Sequence, residues 1–137
     1  SARGFIHVSL HESGADAIIH TAAISDTRTC QNNPDLSYRA NVTLPVMLAR
    51  AARGRKLICF SSDQVYTGCN SEGPYVEEDA VPGNIYAEHK LEMENRVLDI
   101  DPDAVMLRAE WMYDCNTERR NYIQNVLDGQ VTFSKSQ

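Results

Sequence analysis

The sequence predicts an α/β fold, a parallel sheet with helices on its faces. Two observations carry that expectation. Three short apolar runs, at residues 15–21, 56–62 and 104–109, lack the strict alternation of a half-exposed strand, as strands buried on both faces do. Between them lie segments with apolar residues every three or four positions, and helices that cross from one parallel strand to the next give that order. No internal repeat or low-complexity segment interrupts the series.

Taken in order, residues 1–14 carry Phe5, Ile6, Val8 and Leu10 among polar residues; they read as a short strand and turn, or as the remnant of a longer region. The first buried strand, 15–21, runs into the small pair Ala22-Ala23, which lets a ligand or backbone approach closely. A polar loop over 25–33 follows. Asn33 then caps a helix that has Pro34 at its first position, the arrangement in which proline's missing N–H costs nothing. Leu36, Ala40, Leu44, Met47, Leu48 and Ala51 form its apolar face, and Gly54 ends it. Pro45 falls inside this pattern and is expected to kink the helix or split it. The second strand, 56–62, is apolar until Ser61 and Ser62 appear at its C-terminal end, where ligands gather in open α/β sheets. Gly, Pro, Asn and acidic residues make 68–84 a long loop. A second helix spans 85–98, Asp101-Pro102-Asp103 turns, and 104–109 is the third strand. A short helix at 121–129 stops at Gly129, and 131–133 opens a further strand.

The 137 residues suffice for one compact domain, so 1–137 is expected to form one. Apolar content of 42% and charged content of 23% are ordinary for a globular protein. Lys and Arg number 13 against 19 Asp and Glu, a net charge of −6. That balance leaves no basic stripe to neutralise phosphates, so a general nucleic-acid binder is excluded. No apolar run reaches the length of a membrane span, and Ser1-Ala2-Arg3-Gly4 lacks a signal-peptide core. Cys30, Cys59, Cys69 and Cys115 form no Cys-x-x-Cys pair, and Cys59 sits in an apolar run as a small hydrophobe. These features place the protein in the reducing cytoplasm, away from membranes. His7 and His11 have zinc-ligand spacing but lack the glutamate of His-Glu-x-x-His and any further nearby ligand, so no metal is expected.

The chemistry concentrates in Tyr86-Ala87-Glu88-His89-Lys90. A tyrosine and a lysine four apart lie on one helix face. An ammonium beside a phenol favours the phenolate and lowers the tyrosine's pKa. A serine hydroxyl brought near would complete a device for moving a proton on or off a carbonyl or alcohol oxygen. The plainer reading of Tyr86 and Lys90 is a surface pair with the lysine stem packed on the ring. For Ser61 and Ser62 it is hydroxyls satisfying backbone groups at a strand end. His20 reads as a satisfied core or loop histidine and His89 as solvent-facing. Tyr66 and Tyr113 read as packing residues, and Glu77-Glu78-Asp79 as a solvated loop.

A set of motifs decides between these readings. Ala17-Ile18-Ile19-His20-Thr21-Ala22-Ala23 is followed by Ala40-Asn41-Val42 and by Phe60-Ser61-Ser62-Asp63-Gln64-Val65-Tyr66-Thr67-Gly68. Then come Pro74-Tyr75-Val76-Glu77-Glu78, Pro82, the Tyr86–Lys90 motif, Leu107-Arg108 and Trp111-Met112-Tyr113. A lone Tyr-x-x-x-Lys is common in helices, but this series is specific. Over residues 15–129 the chain resembles an extended short-chain dehydrogenase/reductase, closest to the dTDP-4-dehydrorhamnose reductase group of sugar-nucleotide reductases. The resemblance implies a Rossmann-like, doubly wound parallel sheet. It implies an NAD(P)-dependent oxidoreductase, NADPH favoured over NAD, that reduces the 4-keto group of a nucleotide-linked sugar. Tyr86 would be the general acid/base. Lys90 would lower its pKa and bind the nicotinamide ribose, and Ser62 would orient the substrate oxygen. Ala22, Ala23 and Ser61 would lie beside the cofactor together with Tyr86 and Lys90, and Asn41 would start the following helix. A homodimer through the helices near 35–53 and 85–98 is the family expectation. The same residues also serve epimerases and dehydratases, and relatives include a non-catalytic regulatory subunit associated with methionine adenosyltransferase. The family's opening strand and Gly-x-x-Gly-x-x-Gly turn, which seats the cofactor pyrophosphate, has no counterpart in 1–137. The C-terminal region that shapes the sugar-nucleotide pocket is mostly missing too. The expectation is therefore a partial domain.

Overall fold

Three parallel strands, β1 (Ala17–His20), β2 (Lys56–Ser62) and β3 (Val105–Ala109), pair in the order β1-β2-β3. The computed structural model describes residues 10–52 and 54–110. The helix expected at 121–129, the strand at 131–133, Trp111-Met112-Tyr113, Cys115 and His7 lie outside the described residues. Residues 10–13 are helical, while 1–9, most of the segment read as a short strand and turn or as the remnant of a longer region, lie outside the described residues. In register, Ile19 faces Ile58, Phe60 faces Leu107, and Ser62 faces Ala109, so all three strands end near one another at their C-terminal edge.

The connection from β1 to β2 holds one helix that the sequence reading missed. Within the expected polar loop, α1 (Thr27–Asn32) is capped by Asp26, whose carboxylate accepts from the Arg28 and Thr29 amides. The helix has no apolar stripe, and Asp26 is its only clear signal. Asn33 then closes α1 and precedes α2 (Pro34–Tyr38); its side chain donates back to the Thr29 carbonyl and makes no N-cap bond.

The helical path after α2 is not split at Pro45. A π-helical turn, Arg39–Thr43, leads directly into α3 (Leu44–Ala51), and the flanking Tyr38 and Leu44 keep helical dihedrals. A proline in an α-helix lacks an N–H and drives its ring against the carbonyl four residues back, here that of Asn41. The wider turn just ahead of Pro45 relieves that contact and lets the helical path continue. Gly54, at φ +83°, takes the left-handed conformation after the helix end.

Between β2 and β3 a short 3-10 turn (Asp63–Tyr66) leads into the long loop, which includes a second such turn, Glu77–Asp79. The neck of the loop is tight. Gly68 donates to the Val81 carbonyl at 2.7 Å, and a Cβ on Gly68 would lie 2.8 Å from that oxygen. The loop ends at Asn84, which caps α4 (Ile85–Ile100) by accepting from the Ala87 amide. Tyr86, Lys90, Met93, Glu94 and Val97 form the buried face of α4. Val46 and Ala49 of α3 pack with Met93 and Val97 of α4 over Leu57 and Cys59 of β2. Both crossovers advance the sheet in one direction, so with the usual right hand they fall on the same face. The other face carries Ile19 and Leu107, 63% and 43% exposed.

Candidate active site

A cleft of about 640 Å³ opens at the C-terminal ends of the three strands. Thr21, Ala23, Ser25, Asp26 and Thr27 line it from the segment after β1. Phe60, Ser61, Ser62, Asp63 and Gln64 line it from the end of β2 and the turn that follows, Tyr86 and Lys90 from α4, and Ala109 and Glu110 from the end of β3. Of the site residues read from sequence, Ser61, Ser62, Tyr86, Lys90 and Ala23 meet here. Ala22 is exposed and does not line the cleft. Asp26, Asp63, Gln64 and Glu110 were not anticipated, although each follows a parallel strand or its connection, the place where ligands collect.

Tyr86 and Lys90 are far from the surface pair of the plainer reading, being 6% and 2% exposed. The α4 face turns them onto the end of β2. Lys90 Nζ donates to the Phe60 carbonyl at 2.7 Å, which leaves donors of its ammonium for another acceptor. Burial lowers its pKa, and the neighbouring Cys59 thiol and the Glu94 carboxylate work against that shift. The expectation that the Tyr86 pKa is lowered is overturned: burial raises it. The nearby Ser62 hydroxyl pulls it back down in part, while Cys30 and Asp63 push it up. The Lys90 ammonium is engaged with a backbone carbonyl, and desolvation of the phenol dominates. With its pKa raised, Tyr86 is a neutral phenol at neutral pH.

Ser62 Oγ accepts from the Gln64 amide at 3.1 Å and donates to Asp63 Oδ1 at 3.3 Å. It caps the 3-10 turn while lining the cleft. Ser61 points the other way along the pleat, and its hydroxyl donates to Glu94 Oε2 at 2.6 Å. His20, at the end of β1, is buried, and its Nε2 has no hydrogen-bond partner among the described residues. Burial, and then the Lys90 charge, lower its pKa, so it stays neutral.

Asn41 anchors the segment that forms one wall. Its Oδ1 accepts from the Ile24 amide at 3.1 Å and its Nδ2 donates to the Ile24 carbonyl at 3.0 Å. Nδ2 also donates to Ser37 Oγ at 3.2 Å. Ser37 in turn bonds His89 Nδ1 at 2.8 Å, and the Tyr38 ring meets the imidazole edge-on. His89 is therefore held by α2, which corrects its reading as a solvent-facing residue. Tyr66 does pack, stacked on Tyr75 at 5.0 Å. Cys59 behaves as the inert hydrophobe expected, its thiol pushed up to about 11 by burial. Glu77, Glu78 and Asp79 are exposed, as a solvated loop should be.

Comparison with known proteins agrees with this geometry. The chain is 35% identical to the dTDP-4-dehydrorhamnose reductase of Mycobacterium tuberculosis over 108 residues, 74% of this chain and 36% of that protein. It is 34% identical to methionine adenosyltransferase 2 subunit beta of Pongo abelii over 132 residues, 94% of this chain and 39% of that one. The crystal structure of dTDP-4-dehydrorhamnose reductase from Bacillus anthracis in complex with NADP matches with a TM-score of 0.80 at 25% identity, covering 92% of this chain and 45% of that one. The chain spans less than half the length of each of these relatives. A family model described as RmlD substrate binding domain matches residues 3–134, and this chain belongs to that family.

Proposed function

We propose that residues 1–137 are one partial Rossmann-like domain of a sugar-nucleotide reductase, and that Tyr86, Lys90 and Ser62 carry its chemistry. The observation that carries this reading is the convergence of those three side chains on one cleft at the strand ends. The cleft fits a nicotinamide cofactor at one point, the Lys90 ammonium, which has donors left beside its bond to Phe60. Those donors would hold the ribose hydroxyls, with Tyr86 beside them, the small Ala23 leaving room and Ser61 on the same wall; Ala22, which does not line the cleft, would take no part. NADPH, the reduced form of the NADP bound in the Bacillus anthracis relative, would supply the hydride to the 4-keto carbon. Ser62 would donate a hydrogen bond to the carbonyl oxygen and hold it near Tyr86. The Tyr86 phenol, kept neutral by burial, would give its proton to that oxygen as the carbon becomes an alcohol. The Lys90 ammonium would stabilise the phenolate left behind, and solvent would then return the proton to it.

The test is hydride transfer by the intact gene product, supplied with NADPH and a dTDP-4-keto sugar. Tyr86→Phe is expected to lower turnover by about 10²–10⁴-fold with the fold kept, the range for a lost general acid. Absence of hydride transfer in the wild type ends the reductase reading, and unchanged turnover in Tyr86→Phe ends the mechanism. A second reading rests on the match to methionine adenosyltransferase 2 subunit beta, which extends over nearly the whole chain. In that reading the protein is a regulatory subunit that binds a partner enzyme. Stable association with a methionine adenosyltransferase, without turnover of the sugar nucleotide, would select it.

Homodimerisation through α2, α3 and α4 is part of the proposal, supported by exposed Leu36 and Leu44. The free thiols of Cys30, Cys59 and Cys69 support placement in the reducing cytoplasm. No helix among the described residues is long and apolar enough to cross a membrane.

A further inference from the structure

Glu94 lies one turn beyond Lys90 on the face of α4 that carries Tyr86, and it is 5% exposed. An isolated carboxylate in that position would be costly, and a partnered one is held firmly. Two partners meet it from different elements. Ser61, at the end of β2, donates to Oε2 at 2.6 Å. Arg108 of β3 donates from Nη2 to Oε1 at 2.9 Å and from Nε to both carboxylate oxygens at 3.1 and 3.2 Å. The rest of the guanidinium reaches the long loop: Nη1 donates to Tyr66 Oη at 2.6 Å and to the Glu77 carbonyl at 2.8 Å. The guanidinium also stands 5.2 Å from the Tyr66 ring centroid, and Tyr66 stacks on Tyr75.

We propose that Glu94 and Arg108 are a positioning pair, which fixes Ser61, and so the adjacent Ser62, against the Tyr86–Lys90 face while fastening the 67–84 loop to the same strand end. Neither residue lines the cleft, so neither is a catalytic residue. Arginine is required for geometric reasons: only a planar fork can serve the carboxylate, the tyrosine hydroxyl and the loop carbonyl at once. A lysine carries the charge but not those directions. Because Lys90 gains from the Glu94 charge, loss of that charge also weakens the ammonium at the site. The consequence is coupling: loop order and the placement of Ser62 rise and fall together. The pair's placing of Ser62 for chemistry rests on the reductase reading; its hold on the loop does not.

Hydrogen–deuterium exchange of the intact gene product, with Arg108→Lys and Glu94→Gln compared with wild type, tests the structural half. For Arg108→Lys, amides of 66–82 are expected to exchange about tenfold faster while those of 91–98 in α4 keep their protection, the pattern of a local opening. Glu94→Gln should retain an acceptor for Ser61 and give a smaller change. Unchanged loop exchange in Arg108→Lys overturns the proposal, and so does an equal rise throughout α4, which would mark a merely structural role. Steady-state kinetics test the positioning half. Both variants should lower kcat about tenfold with KM for NADPH within about twofold, since the lost alignment acts on the reacting groups. A change confined to KM overturns the positioning role. If the wild type transfers no hydride, the reductase reading alone fails, and the exchange result still decides the loop coupling.

Discussion

Tyr86 and Lys90 are one helical turn apart, yet burial rather than their mutual charge governs the protonation of both. The spacing in the sequence gives a shared face; it does not say how much water remains there. The raised phenol pKa makes a test at Ser62. Because Ser62 pulls the Tyr86 pKa down, Ser62→Ala should push the phenol titration to still higher pH. Ultraviolet difference titration against Tyr86→Phe reads it, and a downward move would contradict the account. His20 gives a second test. Its folded pKa lies below the unfolded value of 6.5, so the native state resists taking up its proton. The stability that follows is fully present above that unfolded value and is lost as pH falls through the folded one. The denaturant midpoint should therefore drop between about pH 7.5 and about pH 5, and His20→Asn should shrink the drop. An undiminished drop in the variant would assign it to other groups.

At the scale of elements, β2 and α4 show why apolar runs and caps are reliable signals. The expected strand at 56–62 is β2 in full, and the helix expected at 85–98 forms from Ile85 to Ile100 behind the Asn84 cap. Local chemistry decided both: a run with no breaker, and a cap that satisfies an otherwise orphaned amide. The helix α1 was illegible because it has no apolar period, and its place is set by contacts with α4. The π-turn ahead of Pro45 was likewise hidden, since a proline in a helix can be absorbed by more than one backbone adjustment. Asn41, within that turn, is fully buried and ties down Ile24 by two hydrogen bonds. Asn41→Ala removes both and strands the Ile24 groups, so it should cost about 1–3 kcal/mol. Met93→Ala, in the core shared by α3, α4 and β2, should cost about 2–5 kcal/mol. Chemical denaturation measures both, and a neutral result at either position would mean that the packing described around it is not what holds the protein together.

At the scale of the whole molecule, the parallel order β1-β2-β3 brings segments far apart in sequence to one edge of the sheet. Sedimentation tests the dimer at this scale: a mass near twice that of the chain is expected, and a monomer at every concentration would end the proposal. The sequence by itself determined where β2 and α4 lie, the motif series and the resemblance that marks the family, because unbroken apolar runs, caps and residue spacing are properties of local chain. The face it marked as apolar over 36–51 is corrected, since Leu36 and Leu44 are exposed and Val42, Val46 and Ala49 fill the core instead. Only the tertiary structure decided that Ser62 caps the turn beside Tyr86 while Ser61 bonds Glu94, that burial raises the Tyr86 pKa, that His89 bonds Ser37, and that Glu94 receives Arg108 and Ser61 together. Those outcomes depend on desolvation and on contacts between residues 14 to 52 positions apart, where packing between elements, and no local pattern, sets the geometry.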